Sequence, residues 1–374
     1  MVMSQLRPLQ DLDPARFETP EVLRALALAS RSLAELKGLS RSIPNQGIII
    51  NTLGIQEAKD SSEIENIVTT HDELYKEDSF PDHVRSAATK EVYRYREALR
   101  LGLSMVASDG IITINHLVAI QSELLRSATG IRTMPGTNLV NSDGRVVYEP
   151  PQDHAEILGL LHDLEKFIHV EELFAADPLV KMSLLHHQFE SIHPFYDGNG
   201  RTGRILNVLY LVKENLLEIP VLYLSRPLVR NKAEYYRRLQ AVRETDEWEN
   251  WVIFMLRAVE ESARDAVRVT GLIGGAFLAI KHQVRSEFKF YSHDLVNTLF
   301  SHPYTKVEFL VQDLGVTRLT ATRYLEELTR LGILQKHRSG KSNYYVNKAL
   351  MKILAGAAMR SPAEPPSTTD SIGP

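Results

Sequence analysis

Twelve consecutive residues, His193-Pro194-Phe195-Tyr196-Asp197-Gly198-Asn199-Gly200-Arg201-Thr202-Gly203-Arg204, bring together an imidazole, a carboxylate, a glycine-flanked turn and two guanidinium groups. Each has a use in phosphate chemistry. A turn such as Gly198-Asn199-Gly200, feeding a helix, exposes main-chain N–H groups and the positive end of the helix dipole to an anion. Arg201 and Arg204, one turn apart with Thr202 and Gly203 between them, add positive charge on that side. Asp197 is a hard oxygen ligand of the kind Mg²⁺ takes alongside substrate phosphates. His193 can accept a proton from an attacking hydroxyl near neutral pH. Together these parts describe phosphoryl chemistry on a nucleotide. Taken singly, each has a plainer use as a tight turn, a packed histidine or a solvated arginine.

Such a loop needs two helices to hold it. Upstream, Met182, Leu185, Phe189 and Ile192 recur at helical spacing on one face, and Pro178 suits the first turn. Downstream, Ile205, Leu206, Leu209 and Val212 begin a second helical pattern, opened by Gly198 to Gly200. Helix-length apolar periodicity recurs from Thr52 to about residue 265, so this body is expected to be mainly α. One strand signal interrupts it: Asn138-Leu139-Val140 and Arg145-Val146-Val147-Tyr148, separated by Asn141 to Gly144, read as a β-hairpin.

The chain has 374 residues, 44% hydrophobic and 24% charged, which suits two or three packed domains and excludes wholesale disorder. A net charge of −4 excludes a globally nucleic-acid-coated protein but allows a local basic patch. With no cysteine, disulfides, thiolate metal sites, Fe–S clusters and thiol nucleophiles are excluded together. The longest apolar candidate, Gly271 to Ile280, stops at Lys281, short of the roughly 18 residues of a membrane span. Residues 1–20 lack a signal-peptide pattern, so no membrane partner and a cytoplasmic location are expected. The expected layout is a helical N-terminal segment (1–50), a catalytic body (51–265), linking helices (266–300), a small domain (301–352) and a disordered tail (356–374).

The loop resembles the signature of the Fic family, HPFx[DE]GNGRxxR, with every fixed position matched. The resemblance extends over roughly residues 50–260 and implies a helical Fic fold with a β-hairpin flap. Most members of the family transfer AMP from ATP to a Ser, Thr or Tyr hydroxyl of a target protein and release pyrophosphate. By this resemblance His193 would be the general base and Asp197 would hold Mg²⁺. Gly198, Asn199 and Gly200 would cradle phosphates, Asn199 contributing its side chain, with Thr202 and Gly203 beside them, Arg201 on the β-phosphate and Arg204 on the γ-phosphate. The full GNGR sequence sets the chain apart from the kinase-like Doc branch, so phosphorylation by that route is not expected. Transfer of another nucleotide or of phosphocholine stays open, as do the target, self-modification and a homodimer.

Three further segments fit. The hairpin residues Asn138, Leu139, Val140, Val146, Val147 and Tyr148 lie where the family carries a flap that receives the target as an added strand; a plain structural hairpin is the alternative. Glu234 to Leu239 resembles the adenine-pocket segment, with Tyr236 and Leu239 as base contacts. Adjacent tyrosines on a helix diverge by about 100°, so one of Tyr235 and Tyr236 belongs to the core. Ser61, Glu65 and Asn66 resemble the inhibitory motif [ST]xxxE[GN], on a helix expected over 55–75; read without it, Glu57, Asp60, Glu63 and Glu65 form a solvated acidic face. The resemblance implies that Glu65 pairs with Arg204 and withholds it from the γ-phosphate, or positions water for removing AMP.

Residues 301–352 read as a winged helix-turn-helix, with Thr317 as N-cap of its second helix, Gly332 as its stop and a wing around Arg338-Ser339-Gly340-Lys341. Nine Lys/Arg against four acids give this stretch a balance of +5. DNA contact would fall to Arg318, Thr320, Thr322, Arg323, Arg338 and Lys341; protein docking is the other use of such a domain. The competing reading of the whole chain is a DNA-binding regulator with the Fic fold as nucleotide sensor. The intact His193 and Asp197 favour the enzyme.

Overall fold

The computed structural model describes residues 6–42, 46–70, 73–74, 86–141, 143–301, 303–339 and 342–359. Lys341 and residues 360–374 of the expected tail lie outside them. The described residues form 14 α-helices and five short strands. No helix among them is long and apolar enough to cross a membrane. The chain divides into two compact units, Met1–Val267 and Arg268–Pro374.

In the first unit α1 (Pro20–Ser42), α2 (Gln46–Ile64), α3 (Ala87–Asp109) and α4 (Ile114–Leu125) lead to a two-stranded antiparallel hairpin, β1 (Leu139–Val140) and β2 (Val146–Tyr148). α5 (His154–His169), α6 (Pro178–Ile192), α7 (Asn199–Lys213), α8 (Ser225–Arg230) and α9 (Lys232–Thr245) follow, and α10 (Trp248–Glu287) carries the division between units. α6 and α7 pack as a pair. Their facing Met182, Leu185, Phe189, Ile192, Ile205, Leu206 and Leu209 are all buried, the face the apolar spacing predicts. Asp177 caps α6 through Leu179 N–H and Pro178 fills its first position. The hairpin pairs Leu139 with Tyr148 and Val140 with Val146, which leaves Val147 bulged. Asn138 stays outside the pairing.

The helix expected over 55–75 is displaced: α2 ends at Ile64, and Glu65 and Asn66 form the turn after it. Asn66 adopts φ +63°, a left-handed conformation that ends a helix and that asparagine tolerates better than most residues.

The second unit continues with α11 (His293–Ser301), β3 (Tyr304–Thr305), α12 (Val307–Leu314), α13 (Arg318–Arg330), β4 (Leu334–Ser339), β5 (Ser342–Asn347) and α14 (Lys348–Met359), its sheet ordered β3-β5-β4. α11, inside the stretch expected to be linker, packs against α12 with Leu295, Val296, Leu299 and Phe300 buried. Thr317 caps α13, and Gly332 (φ +80°) follows its end. α14 continues through 356–359, where the loose tail was expected to begin.

Candidate active site

α6 ends at His193, which serves as its C-cap at φ +49° and donates its N–H to Phe189 O at 3.0 Å. The loop behind it is closed by Asn199, whose Oδ1 accepts from Phe195 N–H (2.9 Å) and whose Nδ2 donates to Phe195 O (2.8 Å). The Asn199 side chain is thereby committed to the loop, contrary to a phosphate role for its amide. What it offers an anion is its main-chain N–H in the unsatisfied first turn of α7. Gly198 turns the chain at φ +80°. Burial, reinforced by the Arg243 charge, pushes the His193 imidazole down to about 4, so it is neutral at physiological pH. A neutral imidazole is the form a general base requires.

Asp197 presents a carboxylate with 73% of its side-chain surface exposed. Its Oδ1 accepts from Gly198 N–H at 2.6 Å. No described group of three or more His, Asp or Glu forms a cage for a metal ion. A single exposed carboxylate fits a Mg²⁺ that brings its other oxygen ligands as phosphates and water.

The two arginines are buried and braced. Arg201 donates from Nη1 to Glu91 Oε2 at 2.8 Å, and its Nη2 lies 3.8 Å from Asp197 Oδ1. Arg204 donates from Nε to Ser61 Oγ (2.8 Å) and from Nη2 to both Ser61 O (2.9 Å) and Glu65 Oε1 (2.8 Å). Burial works against charge on Glu65, but Arg204 outweighs it and holds the carboxyl below its ordinary range. The same carboxylate lies against the start of α7: a Cβ built on Gly200 would come within 2.3 Å of Glu65 Oε1. Glu65 thus sits at the anion-binding end of α7 while engaging its arginine. Asn66 accepts from Lys232 Nζ at 2.8 Å.

Three expected nucleotide contacts turn inward. Thr202 is fully buried, Leu239 is buried with its carbonyl hydrogen-bonded to His187 Nε2 (3.1 Å), and Gly203 is a close-approach glycine. A Cβ there would meet Glu190 Oε1 and Phe189 Cδ1, each at 3.0 Å. Tyr235 is core, bonded to His186 Nε2 at 2.9 Å, whereas Tyr236 keeps 45% of its surface exposed and senses the charges of Glu65 and Arg204. On the hairpin, Val140 and Val146 are more than half exposed, while the Tyr148 hydroxyl donates to Ser191 O at 3.1 Å.

Four neighbours of the candidate site escaped the sequence reading: Arg132, Arg243, Glu190 and Glu91. Arg132 is fully buried and donates from Nε to His193 O at 2.8 Å. The Arg243 guanidinium stacks over the Tyr148 ring, 3.9 Å from its centroid. Glu190, buried beside Gly203 and Arg204, has its carboxyl raised to about 7 by desolvation, with Glu65 adding to the rise and Arg204 opposing it. Each joins the site from tens of residues away or with no patterned neighbour, so local spacing carries no signal for it.

A helical body with an HPFxDGNGRxxR loop between two packed helices defines the class. Residues 23–104 match the Fic/DOC family N-terminal profile, 111–211 the Fic/DOC family profile, and 278–350 that of the protein adenylyltransferase SoFic-like C-terminal domain. The chain belongs to the Fic family. It is 28% identical over 193 residues to a probable protein adenylyltransferase of Aquifex aeolicus, covering 50% of this chain and 53% of that protein. It is 23% identical over 245 residues to the protein adenylyltransferase Fic of Aedes aegypti, covering 64% of this chain and 45% of that protein. The chain thus spans about half the length of these curated relatives. In fold it is similar to a Fic family protein from Desulfovibrio desulfuricans (TM-score 0.56, 21% identity, 88% of this chain and 97% of that one). It is also similar to Fic-1 from Caenorhabditis elegans (TM-score 0.53, 21% identity, 68% and 74%).

Proposed function

We propose that this protein is an autoinhibited protein adenylyltransferase that moves AMP from ATP to a hydroxyl side chain of a protein. The observation that carries the reading is Glu65, ion-paired to Arg204 at 2.8 Å and lying against Gly200 at the start of α7. A carboxylate there occupies the place and the arginine that a terminal phosphate needs. With Glu65 withdrawn, the α7 first turn, Arg201 and Arg204 bind the triphosphate. His193 takes the proton of the target hydroxyl as its oxygen attacks the α-phosphorus. The new O–P bond forms as the bond to pyrophosphate breaks, and the nearby cations stabilise the developing charge. Asp197 would hold Mg²⁺, which neutralises charge on the departing phosphates. Tyr236 supplies the exposed aromatic face beside this space, and the hairpin is the docking edge for the target segment.

The DNA-binding alternative draws less support. The order α11-β3-α12-α13-β4-β5 suits a winged helix, but three of the six candidate contacts, Arg318, Thr320 and Thr322, already have polar partners. Arg318 pairs with Glu308 (2.6 Å). Thr320 shares a hydrogen bond with Thr317, and the Thr322 hydroxyl donates to Arg318 O. The most exposed apolar side chain of α13, Leu319, keeps 83% of its surface in solvent, which suits protein docking.

Intact mass after incubation with ATP and Mg²⁺, with and without lysate, tests the proposal. Glu65→Gly should add one AMP to itself or to a lysate protein far faster than wild type, and Glu65→Gly/His193→Ala should lose that gain. Equal rates in wild type and Glu65→Gly would remove the autoinhibition. ATP binding without transfer in any variant would favour the regulator.

A further inference from the structure

The last four carbonyls of an α-helix find no partner within it, and at the end of α6 all four are taken up. Phe189 O accepts from His193 N–H, Glu190 O from Arg243 Nη2 (3.3 Å), Ser191 O from the Tyr148 hydroxyl (3.1 Å) and Ile192 O from Arg132 Nη2 (3.3 Å). Arg132 goes further. Its Nε donates to His193 O, its main-chain N–H to Pro194 O (2.9 Å), and its Nη2 also to Pro151 O. The buried Arg132 has no carboxylate partner among the described residues; carbonyl dipoles at the negative end of α6 balance its charge.

These donors share an address. Arg132 and Tyr148, with Pro151 accepting from Arg132, lie at the two roots of the segment that carries the hairpin, and every carbonyl that Arg132 and Tyr148 hold from α6 and its cap belongs to the stretch that presents His193. Arg243 closes the arrangement from α9, with Nε on Ser191 Oγ (3.0 Å) and its guanidinium over the Tyr148 ring. The hairpin roots and the base are therefore bolted to one helix end, whereas the phosphate-facing groups belong to α7.

We propose that Arg132 and Tyr148 are positioning residues that lock the hairpin to the end of α6, so that a segment docked on the hairpin meets His193 at a fixed distance. The proposal rests on the transferase reading for its catalytic consequence but not for its structural one. Misplacement by about 1 Å can cost on the order of a hundredfold in rate, so the lock governs turnover without governing nucleotide affinity.

The test places Tyr148→Phe and Arg132→Lys in the Glu65→Gly protein. Three quantities are measured: hydrogen exchange, ATP affinity by calorimetry, and AMP transfer. Both variants should raise exchange in 139–148 and 193–198 together while 199–213 stays protected. Transfer should fall about tenfold to a hundredfold with ATP affinity within twofold of the parent. Exchange rising in the hairpin alone, or in neither segment, overturns the lock. So does a loss of transfer matched by an equal loss of ATP affinity. If the Glu65→Gly parent transfers nothing, the transferase reading fails, and the exchange data still decide the lock.

Discussion

Arg204 is held by two residues of unequal strength. Glu65 gives it a half-buried ion pair, while Ser61 gives Nε a hydroxyl acceptor and Nη2 a main-chain carbonyl. Removing the hydroxyl alone costs about 1 kcal/mol. Ser61→Ala should therefore raise AMP transfer only several-fold, well short of Glu65→Gly; a rise equal to that of Glu65→Gly would show that the serine carries the restraint. The residue scale is also where the sequence was most legible. The types in His193 to Arg204 point to phosphate chemistry jointly, since each alone has a plainer use. Spacing could not reveal that the Asn199 amide closes the loop, or that Gly203 exists to let α7 approach Phe189 and Glu190. Both depend on what lies across the helix pair.

At the scale of elements, the aim of Glu65 is set by where α2 stops. Periodicity suggested a helix running on to residue 75, because apolar spacing has no built-in end. Asn66 supplies the end by turning left-handed, and Glu65 is thrown toward the start of α7. A β-branched residue at that φ is strained by about 1–2 kcal/mol, whereas glycine is at ease. Asn66→Val should loosen the turn and raise basal AMP incorporation; Asn66→Gly should keep it low. Equal incorporation in the two variants would detach the turn from the restraint. The hairpin was legible from its Asn-Ser-Asp-Gly turn between β-prone runs. Its attachment to α6 was not, since Arg132 and Tyr148 reach carbonyls 43 to 61 residues away.

For the molecule as a whole, Glu190 makes stability depend on pH. Its carboxyl is lifted from an ordinary value near 4.5 to about 7, chiefly by burial. A carboxyl raised this way binds its proton more tightly folded than unfolded. The resulting stabilisation is full below pH 4.5 and is lost as pH climbs through 7, a span of roughly 3 kcal/mol. Differential scanning fluorimetry should therefore show Glu190→Gln gaining Tm over wild type at pH 8 and gaining little at pH 5. A gain of the same size at both values would sink the titration argument. Glu57, buried under Tyr95 and Ser225 and likewise raised to about 7 by desolvation, adds a slope of the same sign that Glu190→Gln leaves in place.

His193 also has a duty that chemistry does not exhaust. It bends the main chain at φ +49°, where histidine and asparagine sit more readily than alanine. A substitution to alanine thus removes the imidazole and disturbs the bend in one stroke, confounding two kinds of damage in any silent enzyme. Asparagine at 193 would delete the imidazole and spare the bend, which makes it the cleaner blank against which every rate should be read.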